Sequence, residues 1–482
     1  MIERTDVMKH CKLLLNGTWH DSESRLEVLD PATGTPFAAI ATVNRAEIKQ
    51  AIDDADAAFD GWKKMTAKAR GDYLKAITAE LEKSADLIAE LISKENGKPL
   101  AQAKGEVAMA VDHLLWFAEE GRRAYGRVVP NQAEGKRHLI IKQPLGVVGA
   151  IATRNFQLVL AIRKVAPALA AGCPVILKPA SATPVSSCEF ARCVERAGLP
   201  AGVFQLVAGS AAEISAEMLE NPKCRKISFT GSTEVGRSLI RGAADTCTEL
   251  SLELGGNAPL IVFEDADFDQ AIDGILVTKF RNNGQSCIAS NRIYIQNSIY
   301  DLFINELVTK INSLKVGNWD EEEVDIGPLI DGQALASALS FIDDGVNEGG
   351  RVLAGGRRFG NEGTFLEPTL LSDLPESVRC RREEIFAPIA ALYRFETESE
   401  VLNKANDTEF GLAAYAFTTD LNRAFRVSEA LEAGTIGIND PVPSTSNCPF
   451  GGFKQSGWGR ELGSEGIDAY LETKHVSIGG VG

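Results

Sequence analysis

The segment KFRNNGQSCIASNR, residues 279–292, places a cysteine in a small, polar turn that contains a glycine. Cys287 precedes the strand-like run IYI at 293–295, and Arg281 lies six residues before it. A cysteine in such a turn can be a small buried residue, half of a disulfide, a metal ligand or a nucleophile. Neighbouring groups must distinguish these four roles.

The cysteine and histidine content bears on two of these roles. Nine cysteines are spread over the chain without CxxC pairs, and in a reducing compartment most of them should be free thiols. The five histidines show no ligand spacing, and no histidine or second cysteine lies close to Cys287 in the sequence. We therefore expect no metal site, and a structural or a nucleophilic role remains for Cys287.

Three other segments could bind or activate a ligand. In FTGSTEVGRSL, Gly231 ends a strand pattern and Gly236 opens a helical one, and such a turn can hold a pyrophosphate at a helix N-terminus. Lys178 in LKPASATP ends another strand pattern, and Glu253 in LELGG lies between two predicted domains. Each pattern alone is more often an ordinary turn, a surface lysine or a solvated glutamate, so none assigns a function by itself.

These segments lie in an alternation of strand and helix patterns. Residues 45–123 have apolar positions at helical spacing, and short apolar strands then alternate with helices, one of them predicted at 163–172. This order predicts two α/β domains with parallel sheets. Two strand patterns without helical partners could pair between subunits. The predicted boundaries are 1–134 with 147–257 for the first domain, 258–440 for the second domain, and 135–146 with 455–482 for the pairing segments.

The bulk composition limits the class of protein. A chain of 482 residues with 44% hydrophobic and 24% charged residues is typical of a globular protein with two or three domains. The net charge of −16, without a compensating basic run, argues against nucleic acid as a partner. No apolar run approaches the roughly 18 residues of a membrane span, and the first residues lack a signal-peptide core. These features predict a cytoplasmic protein without a membrane partner.

Seven motifs occur in a fixed order along the chain: TRNFQ (153–157), LKPA (177–180), FTGSTEVG (229–236), LELGG (252–256), GQSC (284–287), EEIFAPI (383–389) and PFGGFKQSGWGRE (449–461). Their order and separation are specific, whereas each motif alone is not. Taken together, the motifs resemble the aldehyde dehydrogenase superfamily over essentially the whole chain, and within it the succinate-semialdehyde dehydrogenase branch. The resemblance implies an α/β fold of the aldehyde dehydrogenase type, with a Rossmann-type cofactor domain (1–134 with 147–257), an α/β catalytic domain (258–440) and a β-strand oligomerisation arm, in a homodimer or homotetramer.

The resemblance also implies a reaction, the NAD(P)-dependent oxidation of an aldehyde through a cysteine thiohemiacetal and a thioester. Cys287 matches the nucleophile, and Asn155 with the Cys287 backbone N–H would stabilise the oxyanion. Glu253 matches the base that activates water for hydrolysis. The residues expected to bind the cofactor are Arg154, Lys178, Ser181, Gly231, Ser232, Gly236, Glu384 and Phe386.

Three positions refine these expectations. Relatives that prefer NAD commonly carry glutamate at position 181, whereas the neutral Ser181 beside Lys178 leaves room for a 2′-phosphate, so NADP or NAD is expected. Arg154 replaces the usual tryptophan, and its guanidinium could bind the cofactor pyrophosphate or reach the substrate anion. Ala289 replaces a second cysteine of many relatives in the branch, so no disulfide switch is expected there.

The substrate expectation rests on Arg163, Arg281 and Ser444, which match an anion pocket of the semialdehyde branch. Two guanidiniums suit a small aldehyde with a carboxylate at its far end, so we predict oxidation of succinate semialdehyde to succinate. The alternatives are another anionic aldehyde such as sulfolactaldehyde or 2-oxoglutarate semialdehyde, a CoA-acylating dehydrogenase, and a non-enzymatic protein. Glu253 argues against CoA acylation, and the presence of Cys287 and Asn155 beside it argues against a non-enzymatic role.

Overall fold

The computed structural model describes residues 9–480, so residues 1–8 and 481–482 of the predicted segments lie outside the described range. Helices alternate along the chain with the strands of two large, mostly parallel sheets, which confirms the α/β class. The helices are α1 (Arg45–Lys64), α2 (Ala67–Lys83), α3 (Ala85–Asn96), α4 (Leu100–Glu120), α5 (Gln157–Ala171), α6 (Val185–Arg196), α7 (Ala211–Glu220), α8 (Thr233–Ala243), α9 (Phe268–Phe280), α10 (Tyr300–Asn312), α11 (Gly332–Asn347), α12 (Glu398–Asn406), α13 (Leu421–Ala430) and α14 (Gly463–Asp468), with 3-10 turns at Gly121–Arg123, Arg281–Gly284 and Arg379–Arg381.

The strands range from two to nine residues and include an N-terminal group that the apolar pattern did not predict. They are β1 (Lys9–Cys11), β2 (Leu13–Leu15), β3 (Thr18–His20), β4 (Arg25–Asp30), β5 (Thr35–Ala41), β6 (Arg127–Val129), β7 (Lys136–Pro144), β8 (Val147–Ile151), β9 (Val175–Lys178), β10 (Phe204–Leu206), β11 (Cys224–Thr230), β12 (Glu249–Glu253), β13 (Ala258–Val262), β14 (Ser290–Gln296), β15 (Arg351–Ala354), β16 (Thr369–Ser372), β17 (Ile389–Phe395), β18 (Phe410–Gly411), β19 (Ala413–Phe417), β20 (Thr435–Ile438), β21 (Phe453–Lys454), β22 (Gly457–Trp458) and β23 (Leu471–Gly479).

The first large sheet has the order β10-β9-β8-β11-β12-β22. Its first five strands are parallel, as predicted, and only β22 runs antiparallel beside β12. Lys178 ends β9, Thr230 ends β11 and Glu253 ends β12. The carboxyl ends of parallel strands share one edge, where ligands of open α/β sheets bind, so the predicted cofactor and base residues meet there.

The second large sheet has the order β15-β16-β17-β14-β13-β19-β20 and is parallel except for β15. The chain crosses from the first sheet to the second through residues 254–257, between β12 and β13. Cys287 lies just before β14, at the amino edge of this sheet. The carboxyl edge of the first sheet therefore faces the amino edge of the second across a short link.

A small sheet of order β23-β7-β6 stands apart from the two large ones and contains both strand patterns that lacked helical partners. β7 pairs with β23 along nine residues within the chain. Val128, Leu139 and Val476 are cross-strand neighbours and form an apolar face, on which Val128 is 75% exposed. Pairing between subunits stays a prediction.

Two strands join a different sheet from the one that their predicted segment implied. β22, from within 455–482, completes the first large sheet, whereas β6, from within 1–134, extends the small sheet. The domain boundaries themselves stay predictions. In residues 9–480, no helix is long and apolar enough to cross a membrane.

Helix α5 lies at the centre of the core of the first sheet, and every one of its residues is buried. It carries Arg163 and Lys164 among alanines and branched aliphatic residues. Buried charges are costly unless they are paired or hydrogen-bonded, so these two residues need partners in the site.

Candidate active site

The Cys287 thiol and the Glu253 carboxylate meet where the two sheets face each other. Sγ donates to Oε1 of Glu253 at 3.2 Å. Gly256 makes this approach possible, because a Cβ there would overlap the carbonyl oxygen of Cys287. Burial and the nearby carboxylates of Glu253 and Glu384 raise the pKa of the Cys287 thiol well above its ordinary value. The thiol is therefore protonated here and needs a base to become a nucleophile.

The surroundings of Glu253 favour a role as that base. Burial raises the pKa of this carboxyl, and the nearby Glu461 raises it further, whereas Lys164 and Arg163 counteract the rise. Lys164 donates to Glu461 at 2.5 Å and to Oγ1 of Thr230 at 2.6 Å. Oε2 of Glu253 is buried without a hydrogen-bond partner in the described residues, so it can accept a proton from a further molecule.

Asn155 lies between β8 and α5 and is buried. Its backbone carbonyl accepts from Nδ2 of Asn282 at 2.9 Å, and the same Nδ2 donates to the carbonyl of Gln285 at 2.8 Å. Asn282 has a φ of 55°, a left-handed conformation that asparagine tolerates better than most residues. The segment of Asn155 is thus tied directly to the loop that carries Cys287.

The segment with Glu384 and Phe386 packs against the same loop. Oε1 of Glu384 accepts from the backbone N–H of Gly256 at 3.0 Å, and burial raises the pKa of this carboxyl to about 7. Phe386 has a φ of 49°, and a Cβ at Gly284 would overlap the backbone of Ala387. The segment of Glu384 and Phe386 therefore packs against the loop of the nucleophile, and the charge of Glu384 acts on the Cys287 thiol. The predicted roles of these two residues at the nicotinamide ribose stay predictions.

The turn after β11 forms a cradle at the N-terminus of α8. The backbone N–H of Gly231 donates to the carbonyl of Glu253 at 3.1 Å, and Oγ of Ser232 caps the helix by accepting from Val235 at 3.3 Å. A Cβ at Gly236 would come within 2.6 Å of Leu254. Free N–H groups and the helix dipole at such a terminus suit a phosphate, and the glycine lets the helix pack close to the sheet.

Two predicted ribose contacts lie farther along the edge of the first sheet. Lys178 is buried, its Nζ donates to the carbonyl of Pro179 at 2.9 Å, and burial lowers its pKa to about 8. Ser181 is exposed and lines a cavity of about 650 Å³, together with Arg25 and Ser210. The cavity offers room and hydroxyl groups for a phosphate, although Glu47 and Glu213 also lie on its wall and would repel one.

Arg154 lies beside Asn155 and is half-buried. Its backbone carbonyl accepts from Nδ2 of Asn96 at 2.9 Å. Its Nε is buried without a hydrogen-bond partner in residues 9–480. A buried donor of this kind is costly unless a ligand accepts from it, which fits either of the two anions considered for this arginine.

The predicted anion pocket combines Arg163 of α5, Arg281 of the 3-10 turn before Cys287, and Ser444 of a loop near the C-terminus. Nη2 of Arg163 donates to Oγ of Ser444 at 3.0 Å, and its guanidinium lies 4.7 Å from the ring centroid of Phe450. Arg281 lies 5.7 Å from the ring centroid of Phe156, and both burial and the charge of Arg163 lower its pKa. In the described part of the chain, neither guanidinium has a carboxylate at ion-pair distance. Two such cations without a counter-ion suit an anionic ligand.

Some residues of the site had no role in the sequence argument. Glu461 ends the motif PFGGFKQSGWGRE, and Lys164 follows Arg163, yet neither was singled out. The available signal was the pair of charges in the otherwise apolar helix α5, since buried charges there require a purpose. Among residues 9–480, no group of three or more His, Cys, Asp or Glu could hold a metal ion.

Comparisons with known proteins show the family of this chain and its similar relatives. The model of the "Aldehyde dehydrogenase family" matches residues 19–476. Glutarate-semialdehyde dehydrogenase of Pseudomonas putida is 47% identical over 96% of this chain and 97% of its own. Succinate-semialdehyde dehydrogenase (NADP(+)) GabD of Escherichia coli K12 is 46% identical over 97% of each chain, and 3-sulfolactaldehyde dehydrogenase of Pseudomonas putida is 45% identical over 97% and 96%.

Solved structures give the same result for the fold. The NADP-dependent enzyme of E. coli superposes with a TM-score of 0.96 at 46% identity and covers 98% of each chain. Betaine aldehyde dehydrogenase from Staphylococcus aureus, in complex with NAD+, superposes with a TM-score of 0.95 at 33% identity and covers 97% of this chain and 95% of that one.

Proposed function

Because the chain belongs to the aldehyde dehydrogenase family, we propose that it oxidises an anionic semialdehyde, with succinate semialdehyde as the first candidate, and uses NADP or NAD. The observation that carries this proposal is a pair of guanidiniums that have no carboxylate at ion-pair distance in the described residues. The charge of Arg163 acts on the Cys287 thiol, and Arg281 lies close enough to Arg163 for their charges to interact. Relatives named for glutarate, succinate and sulfolactaldehyde substrates all act on aldehydes with a second, anionic group.

In the proposed reaction, Cys287 attacks the aldehyde carbon. Glu253 is placed to take the thiol proton, since the two side chains are already hydrogen-bonded. The oxyanion of the thiohemiacetal would accept from the side-chain amide of Asn155 and from the Cys287 backbone N–H. The bound nicotinamide supplies the hydride acceptor. Once it has released the thiol proton to solvent, Glu253 takes a proton from water, whose oxygen attacks the thioester carbon. The acid is released, and Cys287 leaves as a thiolate that takes the proton back from Glu253.

The proposed cofactor contacts follow the edge of the first sheet. The pyrophosphate would lie at the N-terminus of α8, where Ser232 stands between Gly231 and Gly236. Both Ser232 and Arg154 would bind it. Lys178 and Ser181 would bind the adenosine ribose, with the cavity beside Ser181 taking a 2′-phosphate. Glu384 would hold the nicotinamide ribose, with Phe386 packed beside it.

A second candidate substrate is another anionic aldehyde, such as sulfolactaldehyde or 2-oxoglutarate semialdehyde. It requires that Arg154 reach the substrate and not the pyrophosphate. The Nε of Arg154, which is buried without a hydrogen-bond partner among residues 9–480, supports it, because a further free donor would suit a more demanding head group. The relative named 3-sulfolactaldehyde dehydrogenase also supports it. A panel of these aldehydes, followed by absorbance of the reduced cofactor, separates the two candidates.

We also propose that the chain works as a homodimer or homotetramer through the small sheet of β6, β7 and β23. The exposed apolar face around Val128 supports this proposal, since such faces often mark protein interfaces. The cytoplasmic location predicted from the sequence stays a prediction.

The test of the substrate class is Arg281→Ala, measured with succinate semialdehyde and with propanal, which carries no remote anion. Loss of a charge-assisted contact costs roughly 2–5 kcal/mol, so kcat/KM should fall about 30-fold or more for succinate semialdehyde only. Arg394→Ala is the control, because that guanidinium also lies over a ring, that of Tyr300, and is partly exposed outside the pocket. An equal fall for both aldehydes would show that Arg281 only supports the catalytic loop.

A further inference from the structure

A buried ion pair lies directly beneath the segment of Asn155. Nζ of Lys98 donates to Oε2 of Glu106 at 2.6 Å, and both side chains are fully buried. The same Nζ donates to the backbone carbonyl of Asn155 at 2.6 Å. Neither residue belongs to the reaction proposed above, and a buried ion pair is weak evidence for stability alone.

The carboxylate of this pair also caps α5. The helix begins at Gln157 without a side-chain cap from its own N-cap residue, Phe156. Oε1 of Glu106 accepts from the backbone N–H groups of Leu158 at 2.9 Å and Val159 at 3.2 Å. The first N–H groups of a helix have no partner within it, so a buried helix needs such an acceptor from elsewhere. Glu106 thus fixes where α5 starts.

The segment from Lys98 to Gln102 also contacts the loop that carries the Cys287 nucleophile. Gln102, on the first turn of α4, accepts through Oε1 from the backbone N–H of Asn282 at 2.6 Å. Asn282 in turn donates to the carbonyl of Asn155. Lys98, Gln102 and Asn282 therefore hold both segments from one side.

Lys98 also approaches the aromatic ring that Arg281 contacts. Its Nζ lies 4.4 Å from the ring centroid of Phe156, and the Arg281 guanidinium lies 5.7 Å from the same centroid. Two roles for Lys98 must therefore be compared. It could bind the substrate anion directly, or it could position the segment of Asn155. The hydrogen bond to the Asn155 carbonyl favours the second role, and so does the ion pair with Glu106, which already neutralises the charge of Lys98.

We propose that Lys98 and Glu106 are positioning residues, which hold the side-chain amide of Asn155 at the place where the oxyanion forms. The proposal rests on the proposed function, because it needs Asn155 as the oxyanion donor. Oxyanion donors act through a fixed geometry, and a displacement of about 1 Å can cost about 100-fold in rate. The ion pair supplies that geometry at two points, the carbonyl of Asn155 and the start of α5.

The test combines Lys98→Met with Asn155→Ala. Lys98→Met should lower kcat about 10- to 100-fold with succinate semialdehyde and with propanal alike, because both form the same oxyanion. The KM for the cofactor should stay near its original value. The double variant should be no slower than Asn155→Ala alone, since Lys98 acts only through that amide. Independent, multiplicative losses in the double variant would overturn the proposal, as would a loss confined to succinate semialdehyde.

Arg70→Met is the matched control at the other end of the same helix. Arg70 is buried, and its Nε donates to the carbonyl of Ala170 at 2.9 Å, near the end of α5. Its loss should lower the melting temperature while kcat stays near the original value. A fall in kcat similar to that of Lys98→Met would show that α5 responds to any lost buried cation, and the proposal would be wrong.

Glu106→Gln covers the case in which Lys98→Met does not fold. Its amide oxygen can still accept from Leu158 and Val159, while the charge that holds Lys98 is removed. Glu106→Gln should lower kcat less than Lys98→Met does. Combined with Asn155→Ala, it should cause no further loss beyond that of Asn155→Ala alone. An unchanged kcat in Glu106→Gln would overturn the proposal. If Asn155→Ala itself turns over at the original rate, the oxyanion role in the proposed function fails instead.

Discussion

Glu253 uses its two carboxylate oxygens differently. One accepts from the Cys287 thiol, and the other is buried without a partner in the described residues. Burial and Glu461 keep the pKa of this carboxyl above that of an ordinary glutamate. A base with a raised pKa is active only above it, so hydrolysis should slow as the pH falls through that value.

Glu253→Gln should therefore give a burst of reduced cofactor followed by slow steady turnover, because deacylation loses its base while hydride transfer still occurs. The variant should also lose the acid limb of the pH dependence of deacylation. Stopped-flow absorbance over a pH series measures both, and Cys287→Ala, which lacks the nucleophile, should give neither burst nor turnover. Steady turnover equal to that of the original protein would exclude Glu253 as the base.

Ser181 is the residue at which cofactor choice can be tested. It is exposed on the wall of the cavity next to the predicted ribose site. In Ser181→Glu the new carboxylate would face a 2′-phosphate, and the repulsion should raise the KM for NADP at least about tenfold. The KM for NAD should change much less. Steady-state kinetics with both cofactors measure the ratio, and equal changes would show that residue 181 does not sense the phosphate.

The residue types of the site could be predicted from the sequence, but their electrostatic surroundings could not. The motif order placed Cys287 and Glu253 together, and the structure shows them in contact. The Lys164–Glu461 pair lies beside them but joins residues almost 300 positions apart. No local pattern links such positions, because only the packing of α5 against the C-terminal segment brings them together.

At the scale of the element, the N-terminus of α8 is the helix end for which we propose binding of the cofactor pyrophosphate. Ser232→Ala removes its cap, and such a loss costs about 1 kcal/mol of stability. If the terminus binds a pyrophosphate, the KM for both cofactors should also rise severalfold. Thr397→Ala is the control, because Thr397 caps α12 in the same way, by accepting from Glu400. It should cost similar stability without changing the KM.

Melting temperatures and cofactor kinetics of the two cap variants show whether the Ser232 hydroxyl binds the cofactor or only caps α8. An unchanged KM in Ser232→Ala would leave its hydroxyl as a helix cap alone.

Regular elements were predictable where apolar periodicity was long, as in α1, whose pattern and observed range both cover residues 45–64. The pattern predicted the later part of α5 at 163–172, whereas the helix begins at Gln157. The earlier start depends on Glu106, a partner 52 residues away in sequence from Leu158. The left-handed residues Asn282 and Asn283 before the nucleophile were also not predicted, because tertiary hydrogen bonds stabilise them.

At the scale of the whole molecule, the small sheet offers the clearest surface for self-association. Val128→Lys places a charge on its apolar face, next to Leu139 and Val476. If this face is buried between subunits, the variant should sediment as a smaller species at micromolar concentration, because an unpaired buried charge is costly. Leu302→Lys, at a 61% exposed leucine on α10, is the control and should keep the original size. Identical sedimentation of both variants would place the interface elsewhere.

The pairing of β22 with β12 affects how the protein is made on the ribosome. Gly457 is the strand partner of Glu253, so the edge of the first sheet beside the base is completed by a segment about 200 residues later. At about 5–20 residues per second, the emerging chain waits roughly 10–40 s between the two. During this time β12 is an exposed sheet edge, open to pairing with other chains. A polypeptide released before β22 is made would retain Cys287 and Glu253 but would lack the strand that pairs with β12 at Glu253.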